Sequence, residues 1–303
     1  MARSTRIKIK EGGAYYHITN RVAGCRFERP FNDIDKQKFV DILNKMRNFY
    51  AIEVLSYCIM SNHFHILLYT SNEDLSDEEI ADKFKAFRGN KLNHLDEIKI
   101  SNKKSLKSLR ERIFDLSCFM RDLQQEFTTW FNRSRQLGPN KEQRRGRLWQ
   151  DRFHSTLIED RHKYLWNCLL YIELNPLRAH MVKSVDQYEF SSYGKFKQMG
   201  EHPFEMELKK HFPDFDDIYT EMSKTFAVIH SFILSKNFKD DSSEIKQLAF
   251  RTQNWSKGLV VGSKEFIKKI ALGVQRESKR LSRRFDLESR RGTEFFTLRK
   301  PQF

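Results

Sequence analysis

The stretch Met60-Ser61-Asn62-His63-Phe64-His65-Ile66-Leu67-Leu68 decides how the rest of this chain reads. Two histidines flank a phenylalanine inside an apolar, strand-like run. Side chains alternate across a β-strand, so His63 and His65 point to one face and Phe64 to the other. Two imidazoles on one face are half of a metal site. Just before them, Ile52 to Met60 is rich in β-branched and aromatic residues, and Ser61-Asn62 reads as a tight turn. With His63 to Thr70 as the following strand, the segment is a β-hairpin.

The flanking sequence extends this hairpin into a fold. Gly13 to Arg21 reads as a first strand. Asp33 to Tyr50 reads as a helix, with Asp33 as its N-cap and Phe39, Ile42, Leu43 and Met46 at helical spacing. Leu116 to Arg133 is strongly amphipathic, with Leu116, Phe119, Met120, Leu123, Phe127, Trp130 and Phe131 on one face. Leu148 to Ile158 reads as a fourth strand. A helix from about Arg161 to Leu174 is stopped at Asn175-Pro176, because proline ends helical geometry. The order β-α-β-β-α-β plus a further helix predicts an α+β fold. The expectation is a ferredoxin-like antiparallel sheet with helices on one face and the other face open.

Residues 1–196 carry this pattern, interrupted at about 72–112 by a charged, aromatic-poor insertion with helical pieces. Residues 197–303 read as a helical, basic C-terminal region. Helices are expected around Phe226 to Leu234, around Ile245 to Phe250 and over Lys264 to Leu272, and Gly258 to Ser263 is a turn or short strand. The closing basic run, Arg276 to Arg291, alternates with Leu281, Phe285 and Leu287 and suits an amphipathic helix.

Charge narrows the function. Lys and Arg number 55 against 40 Asp and Glu in 303 residues, a net charge of +15 and a pI near 9.6. That balance favours a polyanionic partner, nucleic acid first. The 26 phenylalanines can build a core, so disorder is excluded. No apolar run is long enough to span a bilayer, and the basic N-terminus lacks the apolar segment of a secretory signal. Cys25, Cys58, Cys118 and Cys168 are scattered without paired metal spacing. They read as reduced thiols of a cytoplasmic protein.

A cation acting on phosphate needs about three protein ligands and open positions for water and substrate. Asn175 offers a hard amide oxygen suited to Mg²⁺ or Mn²⁺. Tyr171 lies four residues earlier, on the same helix face, where its hydroxyl can serve as a nucleophile. Tyr164, one heptad earlier, competes for that role. Arg133, Arg135, Lys141, Arg144, Arg145 and Arg147 form a basic connection suited to a DNA backbone. Asn20, Arg21, Trp149, Arg152 and His154 are candidate base or backbone contacts by stacking or hydrogen bonding.

Four segments resemble one known family. His63-Phe64-His65 is similar to the HUH motif of single-tyrosine transposases and rolling-circle relaxases. The run Tyr57 to Leu67 resembles the subgroup called REP-associated tyrosine transposases. So do Tyr16-His17-Ile18-Thr19-Asn20-Arg21, Gly146 to Phe153, and Tyr171-Ile172-Glu173-Leu174-Asn175-Pro176-Leu177-Arg178-Ala179. The resemblance covers roughly residues 10–195. It implies that His63, His65 and Asn175 bind the divalent metal. It implies that Tyr171 attacks single-stranded DNA at a REP-like hairpin, leaving a 5′-phosphotyrosine and a free 3′-hydroxyl. Monomer and dimer both remain open. Two rivals share the same residues: a non-catalytic nucleic-acid-binding regulator on this sheet, and a metal-dependent nuclease that uses water in place of tyrosine.

Overall fold

The computed structural model describes residues 6–9, 12–24, 28–71, 73–137, 142–235, 255, 258–277, 286–289 and 296–299. The first part of the chain runs β1 (Ala14–Arg21), α1 (Asp33–Arg47), β2 (Ile52–Ile59) and β3 (His63–Thr70). The insertion follows as α2 (Asp77–Arg88), α3 (His94–Ser101) and α4 (Lys103–Ile113). Next come α5 (Leu116–Ser134), the short β4 (Gln136–Leu137) and β5 (Glu142–Gln143), β6 (His154–Ile158), α6 (His162–Glu173) and α7 (Asn175–Arg178). The remainder is α8 (Ser192–Met199), α9 (Glu205–His211), α10 (Ile218–Ser235), β7 (Val260–Gly262), α11 (Lys264–Glu277), β8 (Asp286–Ser289) and β9 (Phe296–Arg299).

Local chemistry sets the ends of the main elements. α1 begins in a capping box: Asn32 accepts from the Asp35 N–H while the Asp35 carboxylate accepts from the Asn32 N–H. The cap is therefore Asn32, one residue before the expected Asp33. Ser76 and Glu79 form the same box at α2, and Asp115 caps α5 by accepting from the Cys118 N–H. The Met60 N–H bonds the His63 carbonyl at 2.8 Å and closes the hairpin over Ser61-Asn62. The expected strand over Leu148 to Ile158 is shorter. Only His154–Ile158 is regular, and Trp149 makes an isolated bridge to Val22. Pro176 sits in the first turn of α7, where its missing N–H does no harm, so the chain turns there and resumes a short helix.

The sheet has seven strands in the order β2-β3-β1-β6-β7-β9-β8. Its first four strands are antiparallel neighbours, the split βαβ arrangement expected from the sequence. Two expectations need correction. Helices cover both faces of the sheet, not one. α1 and α5 pack on the Phe64 face, where Phe39 lies 4.8 Å from Phe64 and 5.1 Å from Phe127 between ring centroids. α6, α8 and α9 cover the histidine face: Tyr171 rests on His65, Ser192 bonds Ser56, and Tyr15 bonds His211. The physical reason is that β1 and β3 bury nearly every side chain on both faces, as a two-sided sheet requires.

The second correction concerns the C-terminal region, which is not only helical. β7 pairs with β6 in parallel, and β9 and β8 extend the sheet beyond it. Val260 and Val261 are fully buried, so this short apolar run is a central strand. Residues of the closing basic run that fall in β8 are extended, not helical. The helix expected over 245–250 lies outside the described residues, as does Cys25. Cys58 and Cys168 are buried thiols, and Cys118 is half-buried. No helix among the described residues is long and apolar enough to cross a membrane.

Candidate active site

Register places the site. On β3, His63 and His65 share one face with ring centroids 5.1 Å apart. On β1, Arg21 stands opposite His63, Thr19 opposite His65, and His17 opposite Leu67. On β6, His154 stands opposite Thr19. His63, His65, Thr19, Arg21 and His154, with Asn20 from β1 and Gln150, Asp151 and Arg152 from the loop before β6, line a cleft of about 260 Å³. The cleft gathers six of the sequence-derived candidates: His63 and His65, and beside them Asn20, Arg21, Arg152 and His154.

The two imidazoles are held from behind. His63 Nδ1 lies 2.7 Å from Asn62 Oδ1. The Asn62 amide cannot flip, because its Nδ2 donates to the Glu28 carbonyl at 2.8 Å. Asn62 Oδ1 therefore accepts from His63 Nδ1–H, and the neutral ring keeps its lone pair on Nε2. His65 Nδ1 lies 3.0 Å from Nε2 of His17, and His17 Nδ1 lies 3.0 Å from the Trp255 carbonyl. His17 is fully buried, and burial pushes its pKa down to about 3, so it is a neutral imidazole. Imidazoles tethered through one nitrogen are the usual form of histidine ligands. Each ring thus offers the kind of nitrogen donor that a divalent cation takes.

Tyr171 sits directly behind the histidines. Its ring meets His65 and His17 edge-on, with centroid distances of 5.8 Å to each. Trp255 covers it at 6.0 Å, and the Arg178 guanidinium lies 4.3 Å over its face. The ring is fully buried, and its hydroxyl makes no hydrogen bond to the described residues. It does not line the cleft. Asn175, 5% exposed, turns its Nδ2 back onto the carbonyls of Tyr171 and Ile172 at 3.0 and 3.1 Å. That bond pattern closes the end of α6 and leaves Oδ1 as the end of the amide suited to a cation. Tyr164, one heptad before Tyr171, is equally buried and lies under Lys163. Among the described residues, no three His, Cys, Asp or Glu side chains converge as a metal cluster.

A buried carboxylate anchors the helix that carries Tyr171. Glu173 accepts from the Ser56 hydroxyl at 2.7 Å, from the Ser192 hydroxyl, and from the Tyr193 N–H at 3.2 Å. Burial pushes its pKa up, and the three donors pull it only partly back. Ser56 reaches Glu173 because a bulge between Val54 and Ser56 shifts the alternation of β2 and turns Ser56 to the histidine face.

The other candidate DNA contacts separate into two groups. Arg145 and Arg147 are exposed on the loop before β6. Arg144 is built into the fold: it bonds Asn132 and the Arg147 carbonyl and lies 5.6 Å over Phe131. Trp149 corrects the sequence reading. It is 9% exposed, donates to Thr128 Oγ1 at 3.0 Å, and packs against Phe31, Phe64 and Phe127. Stacking on a base needs an open ring face, and the Trp149 ring is spent on the core instead. The sequence reading gave no role to His17, Gln150, Asp151 or Trp255. His17 carried a signal: it lies two residues before Thr19 and so shares its face. Trp255 carried none, since only the folded chain brings it back to β1.

No family model matches this chain, and no curated protein matches it. Among solved structures, one described as a REP-associated tyrosine transposase bound to a REP hairpin is similar to it. The TM-score is 0.43 and the identity 16%, covering 66% of this chain and 87% of that one.

Proposed function

We propose that this chain cuts and rejoins single-stranded DNA at hairpins through a tyrosine intermediate. One observation carries the reading: Tyr171 lies against His65 within one chain, 5.8 Å between ring centroids, at the back of a cleft edged by arginines. His63, His65 and Asn175 would hold Mg²⁺ or Mn²⁺, which would supply Lewis-acid polarisation of the scissile phosphate. Arg21 and Arg152 line the cleft and hold the strand by its phosphates. The Tyr171 oxygen forms a bond to phosphorus as the bond to the 3′-oxygen breaks. The 3′-oxygen departs as a hydroxyl, and its return attack rejoins the strand without ATP.

The reading makes a structural demand. Tyr171 must leave the cluster of His17, Trp255 and Arg178 to reach a phosphate in the cleft. A second reading draws on the same burial: a DNA-binding regulator needs the basic cleft and no accessible tyrosine. One assay separates them. Labelled single-stranded hairpin DNA is incubated with Mg²⁺ or Mn²⁺ and resolved on a denaturing protein gel. The proposal expects a covalent adduct that Tyr171→Phe abolishes. Cleavage that survives Tyr171→Phe points to water or to Tyr164 as nucleophile. Binding without cleavage supports the regulator.

A further inference from the structure

We infer that His17 is a positioning residue that fixes His65 as the Nδ1–H tautomer, leaving the lone pair on His65 Nε2 for the cation. The inference rests on the proposed metal role of His63 and His65, and it follows from what each atom in the chain of contacts is able to do. The Trp255 carbonyl only accepts, so His17 Nδ1, 3.0 Å away, carries the hydrogen. A neutral imidazole has one donor and one acceptor, so His17 Nε2 is the acceptor. His65 Nδ1 is 3.0 Å from that nitrogen and must donate to it. The remaining nitrogen of His65, Nε2, then carries the lone pair.

The ring geometry agrees. The planes of His17 and His65 differ by 9°, and the centroids are 5.2 Å apart. A 3.0 Å nitrogen–nitrogen contact plus two ring radii accounts for that separation, so the rings meet edge to edge. The lone pair of an imidazole nitrogen lies in the ring plane, where an edge-to-edge donor meets it. His63 reaches the same state by a separate route, through Asn62 and the Glu28 carbonyl. Two independent tethers thus present two Nε2 atoms from one strand. The second tether ends on Trp255, so the C-terminal region helps set the electronic state of a residue on β3.

The test uses the full-length, metal-free protein labelled with ¹⁵N-histidine. Long-range ¹H–¹⁵N correlation spectra report which nitrogen of His65 is protonated, with His65→Gln to assign the signal. The expected result is a pyridine-like Nε2 in the wild type. His17→Gln keeps an acceptor for His65 and a donor for the Trp255 carbonyl, so it should keep that tautomer. His17→Leu removes both and should yield a mixture. Mn²⁺ affinity, followed by electron paramagnetic resonance, should fall about 10–100-fold in His17→Leu and recover in His17→Gln. Thermal melts of each variant check folding. A wild-type His65 protonated on Nε2 overturns the proposal, as does unchanged Mn²⁺ affinity in a folded His17→Leu. A wild type that binds no Mn²⁺ sinks the metal reading instead, and the spectrum still decides the tautomer. No DNA is used, so the loss of strand cleavage and the loss of this tether are separate outcomes.

Discussion

Single residues in this protein are held in defined protonation states by what surrounds them, and His202 shows how that becomes measurable. It is 7% exposed, and its Nδ1 accepts the Phe204 N–H at 3.2 Å, which only the neutral ring can do at that atom. Burial pushes its pKa down to about 4. In the unfolded chain a histidine titrates near 6.5. Between those values the unfolded state binds a proton that the native state does not, so stability falls as pH drops from about 6.5 to about 4. The full effect is at most about 3 kcal/mol, with roughly 2 kcal/mol lost by pH 5. His17 has the same sign and adds to the slope. Urea melts at pH 7 and pH 5 should therefore show a clear acid loss in the wild type and a smaller one in His202→Gln. Identical acid losses in the two proteins would remove His202 from this account.

At the scale of elements, the site is three strands and one helix brought together, with a cover. α6 is fixed to β2 and α8 by the buried Glu173 cluster, so Tyr171 cannot reach the cleft by sliding the whole helix. The cover is the part that a substitution can remove. Trp255 is 5% exposed and packs on Tyr171, yet its tether to His17 runs through its backbone carbonyl. Trp255→Ala removes the indole and keeps the carbonyl. If that cover limits access, the rate of covalent adduct formation on hairpin DNA should rise about tenfold, because a larger fraction of the protein is competent to react. A rate that stays the same or falls would mean that the indole does not gate Tyr171. The sequence made part of this legible. His63 and His65 lie on one face by strand alternation, and the spacing of Tyr171 and Asn175 brings both to the C-terminal end of α6, which Asn175 closes. Trp149 misled because its exposure depends on Phe31, Phe39 and Phe127, which come from elsewhere in the chain. The helices on both faces were hidden in the same way: a histidine-bearing strand reads as open to solvent until its neighbours are known. β8 escaped because a basic run with alternating apolar residues suits a helix as well as a strand, and only its pairing with β9, itself paired with β7, decides.

For the whole molecule, the excess of positive charge is the property that reaches beyond any one contact. A net +15 steers any polyanion, but only cations free to meet phosphate release counterions when DNA binds. The fold sorts the arginines of the basic connection on that basis. Arg135 is committed to the buried Asp35, and Arg144 to Asn132 and the Phe131 ring. Arg145 and Arg147 are exposed on the loop that leads to β6 and the cleft. Binding of hairpin DNA measured between 50 and 200 mM salt, a range over which phosphate contacts are resolved, gives a log–log slope proportional to the number of contacts. If the two exposed arginines touch the backbone, replacing both by alanine should reduce the magnitude of that slope by about 1.4–1.8. The adduct rate at saturating DNA should not change, since neither side chain lines the cleft. Arg144→Ala should do the reverse: little change in slope and a measurable loss of stability, because its guanidinium holds the loop to α5. An unchanged slope in the double variant would take this loop out of the DNA path and move the contact surface to the cleft arginines alone.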